Sequence, residues 1–82
     1  MPTVLTVSGF SIRILSSDHR PSHVHVVSGS GSAVFYLNCP GGPPSLRENF
    51  GLKRAELNRV KQELNEALGH LCAEWRRIHG DF

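Results

Sequence analysis

The sequence predicts an α+β fold: a three- to four-stranded antiparallel meander sheet packed on one face by a long or kinked C-terminal helix. Three observations carry this. Within residues 1–38, apolar and polar side chains alternate with period two between Gly-containing turns. The run Cys39-Pro40-Gly41-Gly42-Pro43-Pro44 excludes regular structure. From Lys53 onward the apolar residues recur every three or four positions.

Residues 3–15 read as a hairpin, with Val4, Leu5 and Val7 before Ser8-Gly9 and Phe10, Ile12 and Ile14 after it. Phe10, Ile12 and Ile14 share one face, with Ser11 and Arg13 opposite. Residues 16–22 are a loop, since Pro21 pushes Arg20 out of helical backbone. Residues 23–27 alternate again and form a strand. Ser28-Gly29-Ser30-Gly31 is a turn, and residues 33–37 return. Ser45 caps a short helical turn over residues 46–50 that ends at Gly51. Leu57, Val60, Leu64, Leu68, Leu71, Trp75 and Ile78 then make one apolar stripe, opposite Arg59, Glu63, Glu66 and Arg77. An unbroken helix over 53–79 would be about 40 Å long. A chain of this size has a diameter of roughly 30 Å. The helix therefore bends, with Gly69 the predicted site, or its end overhangs.

Eighty-two residues make one domain, with a β half at 1–38, a Pro/Gly loop at 39–44 and a helical half at 45–79. Folding a chain of this mass leaves about 4,900 Å² of surface, enough for one small core and too little to enclose a large cofactor. No cofactor is expected. The composition, 39% hydrophobic and 20% charged, excludes a collagenous or fully disordered chain. No apolar run is long enough to span a bilayer, and Met1-Pro2-Thr3 does not open a secretory signal, so a cytoplasmic location without membrane association is expected. A net charge of +2 permits a polyanionic partner without arguing for one. Cys39 and Cys72 match no zinc or redox spacing, and in a cytoplasmic chain both are expected to be reduced and partly buried.

The strongest chemical signal is Asp18-His19-Arg20-Pro21-Ser22-His23-Val24-His25-Val26. His23 and His25 are two apart on a strand and point to the same face, while Val24 and Val26 point to the core. One sheet face then gathers Arg13, His23, His25 and Tyr36, with Asp18, His19 and Arg20 at its rim. Four readings stay open. The face is a half-solvated polar surface. It binds RNA or a protein partner, with Arg and His on phosphates and Tyr36 as a stacking plane. It ligates a metal through His23, His25 and a third ligand, His19 or Asp18, although no metal is the default expectation. Or His23 and His25 act as catalytic base and acid on a phosphodiester.

Several blocks together resemble a small bacterial family known as domain of unknown function 4160. They are Met1-Pro2-Thr3-Val4-Leu5, Gly9-Phe10, Asp18-His19-x-Pro21-x-His23-Val24-His25-Val26, Ala33-x-Phe35-Tyr36-Leu37, Asn49-Phe50-Gly51-Leu52, Glu56-Leu57 and Trp75. The chain departs from the family in its breaker-rich 39–44 loop, in Lys53 where members carry a Ser cap, and in Tyr36 where they carry Trp. The resemblance implies a component of a toxin–antitoxin-like module that binds a small protein encoded nearby, with RNA as a further ligand. The alternatives are a His-dependent phosphodiesterase or ribonuclease, metal-free or metal-assisted, and a structural interaction protein without catalysis.

Overall fold

The computed structural model describes residues 3–7 and 9–82. Met1, Pro2 and the Ser8 half of the first predicted turn lie outside them. Five strands follow one another as an antiparallel meander in the spatial order β1-β2-β3-β4-β5. They are β1 (Thr3–Val7), β2 (Phe10–Arg13), β3 (His23–Ser28), β4 (Gly31–Tyr36) and β5 (Ser45–Phe50). Two helices, α1 (Arg54–Glu66) and α2 (Leu68–His79), complete the chain.

The fifth strand corrects the expected three or four. Residues 45–50 form a strand against β4 and not a capped helical turn, so the helical half begins after it. The segment conceals its nature because it is an edge strand. From Leu46 to Phe50 it is exposed on both faces, and it carries no buried alternation for a sequence to display. A bulge between Val34 and Phe35 of β4 further breaks its periodicity.

The registers sort the sheet into two faces, because residues directly opposite in an antiparallel pair lie on the same side. Ile12 pairs with Val26 and Val26 with Ala33, while Val24 pairs with Phe35. All five are buried, and they form one core with Val60, Leu64, Leu68, Leu71 and Trp75 of the helices. On the other side, Arg13 pairs with His25, His25 with Val34, and His23 with Tyr36. The helices thus cover the Val24/Val26 side, and the imidazoles occupy the side the alternation assigns them.

The exposed surface is 4690 Å² and the radius of gyration 11.4 Å, close to what the chain length demands. The longest dimension is 32 Å, too short for a straight helix over residues 53–79, which would be about 40 Å long. The helix does break, but at Ala67 and not at the predicted Gly69, which lies inside α2. Ala67 has φ −100° and ψ 13°, yet its N–H still donates to Glu63 and its carbonyl accepts from Leu71. The bend therefore costs few backbone hydrogen bonds. It keeps Val60 and Leu64 of α1 and Leu68, Leu71 and Trp75 of α2 on the same sheet.

Residues 38–44 are held rather than loose. Asn38 takes a left-handed φ of 55°, and its Nδ2 donates to Pro43 O and Ser45 Oγ. Cys39 and Cys72 are joined in a disulfide, with their Cα atoms 5.8 Å apart. This corrects the expectation of two reduced thiols. The loop folds back on α2 and brings together two residues that are distant in sequence.

Candidate functional site

The site is built on the loop between β2 and β3. Asp18 N donates to Leu15 O, and Leu15 N donates to Asp18 Oδ2, each at 3.0 Å. This reciprocal pair is a short side-chain-to-backbone turn of the kind Asp favours. It aims the carboxylate at the start of β3. There Asp18 Oδ1 accepts a hydrogen bond from His25 Nε2 at 3.0 Å and lies 3.5 Å from His23 Nε2. The two rings meet edge-on, with centroids 5.3 Å apart at 72°.

Tautomers follow from the partners. The Pro21 carbonyl can only accept, so His23 Nδ1, 2.9 Å away, carries a proton. In the neutral ring, His23 Nε2 then presents its lone pair to Asp18. The His23 side chain is 8% exposed and its ring lies 5.2 Å from that of Trp75. Trp75 in turn is stacked on His79, whose Nε2 contacts Leu15 O. The His25 side chain is 29% exposed and that of Asp18 10%. The two rings meet, but only His25 is substantially open to solvent; His23 is buried against Trp75, where an outward-facing pair was expected.

Burial is the largest influence on the Asp18 carboxyl and opposes its ionisation. Hydrogen bonds from His25 and the Leu15 amide, with the nearby His25 and His23 charges, together outweigh it and hold the carboxyl below its usual range. The site therefore centres on a half-buried carboxylate.

A cleft of about 300 Å³ opens beside these groups, lined by Ser17, Asp18, His19, Pro21, His23, His25, Tyr36 and Arg47. Arg47 stands 5.9 Å from the centre of the Tyr36 ring. Sequence reasoning missed Arg47, because residues 45–50 read as helical and no periodicity placed it beside Tyr36. His19 is exposed at the rim. Arg20 is also exposed and pairs with Asp81 at 3.2 Å, away from the cleft lining. Arg13, opposite His25, has a buried Nε without a hydrogen-bond partner among the described residues. A second cleft of about 290 Å³ lies at the other end of β3, near Ser28 and Ser30. Its carboxylate, Glu56, is already taken by the Ser30 hydroxyl and the Lys53 amide.

Among the described residues, Asp18, His23 and His25 are the group whose donor atoms converge, all within 4.8 Å of one another. The same atoms suit proton transfer, with a carboxylate orienting an imidazole. No described helix is long and apolar enough to cross a membrane.

Fold and site define a small meander domain, backed by a bent helix, whose polar face carries one carboxylate shared by two imidazoles. The chain belongs to the family Domain of unknown function (DUF4160), which matches residues 9–76 and so spans every residue of the cleft. No curated protein and no solved structure matches it.

Proposed function

We propose that the chain is the partner-binding component of a toxin–antitoxin-like module, and that its ligand is the small protein encoded beside it. The contact surface is the His25/Tyr36 face continued onto β5. The exposed edge of the sheet carries this reading. Leu46 and Phe50, 44% and 56% exposed, are the large hydrophobic side chains left open among the described residues, and both lie on β5. An unpaired edge with apolar side chains accepts an extended segment by strand addition.

RNA is the weaker ligand, because Asp18 and Glu48 share that face with Arg13, His25 and Tyr36. A cytoplasmic location belongs to the reading, and the Cys39–Cys72 disulfide is the observation against it.

The test is co-purification of the chain with the neighbouring gene product. A Leu46→Asp/Phe50→Asp double variant with an unchanged circular dichroism spectrum should lose the complex. A complex of undiminished affinity overturns the proposal. If RNA is the ligand, its affinity should fall steeply between about 50 and 200 mM salt, and a flat response counts against it.

A second reading rests on the Asp18–His25 hydrogen bond, which is the arrangement of an oriented general base. Under it the chain cleaves a phosphodiester, and His25→Ala should abolish RNA decay. Equal decay in the variant removes it.

A further inference from the structure

We propose that Asp18, His23 and His25 form a binding site for one divalent transition-metal ion, bound through a carboxylate oxygen and the two Nε2 atoms with an open coordination position toward the cleft. This does not depend on whether the chain binds a partner protein.

Distance is the first argument. Zinc bonds of 2.0–2.1 Å to nitrogen and oxygen place tetrahedral ligands about 3.3–3.4 Å apart. Asp18 Oδ1 already stands 3.0 Å from His25 Nε2 and 3.5 Å from His23 Nε2. Adjustments of a few tenths of an ångström complete these two separations.

Orientation is the second. The Pro21 carbonyl fixes the Nδ1–H tautomer of His23, so the Nε2 lone pair is aimed inward before any ion arrives. A backbone carbonyl behind the far nitrogen is the usual outer partner of a ligating histidine. Leu15 N holds Asp18 through Oδ2, and Oδ1 faces both rings, with Oδ2 also 3.2 Å from His25 Nε2.

Charge is the third. His23 Nε2 and Asp18 Oδ1 face each other at 3.5 Å in a site where both side chains are nearly closed to water. A cation between them would be held by both, and His25 would free its Nε2 by passing to the Nδ1–H tautomer. Two imidazoles and one carboxylate suit zinc, iron or nickel; magnesium takes oxygen ligands and several waters. Cys39 and Cys72, tied to each other, offer no competing thiolate.

Three protein ligands leave room for a fourth, as in sites where the metal holds water or substrate. The three ligands line one cleft with Ser17, His19, Tyr36 and Arg47, so a fourth ligand would enter from that cleft and an anionic one would share it with the guanidinium.

The test titrates the chelator-stripped, non-reduced full chain with zinc chloride by calorimetry. One equivalent should bind. Asp18→Asn and His25→Gln should each weaken binding by roughly tenfold or more, since loss of outer partners alone costs 10–100-fold. His70→Ala should not change it, and magnesium should give no heat. A mutation-free reading uses the imidazole nitrogen resonances of the same chain: zinc should shift those of His23 and His25 and leave His70 and His79 in place. The absence of zinc heat, binding unaltered in both ligand variants, or shifts confined to other histidines overturns the site.

Discussion

Asp18 Oδ1 and His25 Nε2 lie 3.0 Å apart, although Asp18 sits on a loop and His25 inside a strand. The contact ties the β2–β3 connection to the sheet, because the same carboxylate accepts the Leu15 amide. Asp18→Ala leaves that amide and the His25 Nε2–H without their acceptor. Hydrogen bonds to charged groups contribute about 1.5–3 kcal/mol, so a loss of that order is expected in denaturant unfolding, with the midpoint lowered and the slope unchanged. A loss below about 0.5 kcal/mol would show that the loop is held by other contacts.

Two glycines should respond in opposite directions. A Cβ on Gly31 would stand 2.5 Å from Phe50 O and 3.0 Å from Gly51 C, both backbone atoms that cannot rotate away. Gly31→Ala should cost about 1–3 kcal/mol, as overpacking does, and loosen β5 from β4. Gly69 has nothing within 4 Å of the same position and lies inside α2. Gly69→Ala should stabilise the chain by about 0.5–1 kcal/mol. Thermal unfolding of the two variants checks both signs, and a destabilised Gly69→Ala would mean that the bend at Ala67 extends into α2.

The Cys39–Cys72 bond should be detectable chemically. Thiol titration of the unfolded, unreduced chain should find no free thiol, and reduction should release two. Closing a loop of this length contributes about 2–4 kcal/mol in the chain-entropy account, so the reduced chain should melt lower by a corresponding amount. The Cys39→Ser/Cys72→Ser variant should match the reduced chain; one as stable as the oxidised parent would contradict the bond's role.

Acidification should weaken the start of α1. The Glu56 carboxyl lies below its usual value, chiefly because the Lys53 amide donates to it and then because the Ser30 hydroxyl does. Lys53, the N-cap, has no side-chain acceptor of its own, so Glu56 supplies the available half of the capping box. A carboxyl with a lowered native pKa stabilises the fold above its unfolded value, and the contribution fades as pH falls through the native one. Glu56→Gln should therefore lose less stability than the parent between neutral and acidic pH. Identical acid slopes would remove Glu56 from this role.

The sequence displayed what burial writes into it. Val24 and Val26 alternate with His23 and His25 because the two valines pack under the helices, and the pairings then carry Arg13 and Tyr36 to the histidine side, although His23 is itself buried against Trp75. The stripe from Leu57 to Ile78 was legible for the same reason. What stayed hidden depends on tertiary geometry. β5 is exposed on both sides and leaves no periodic trace. The bend falls on Ala67, a good helix former, because a straight helix over residues 54–79 would outrun a molecule whose longest dimension is 32 Å. Asp18 and His19 are loop neighbours, and only the Leu15–Asp18 turn decides that the carboxylate points inward while His19 remains exposed. The cysteine pairing required knowing where residues 38–44 fold.

The alternation of β3 from Val24 to Val26 also guards the hairpin against mispairing. Sliding this strand by one position would press His25 beneath α1 and α2 and turn Val24 and Val26 to water. Exposing two buried valines forfeits about 1.5–3 kcal/mol each, before any penalty for a polar ring stranded in grease. The slipped arrangement is thus strongly disfavoured. The residues that give the polar side its chemistry also serve as an alignment key while the sheet assembles.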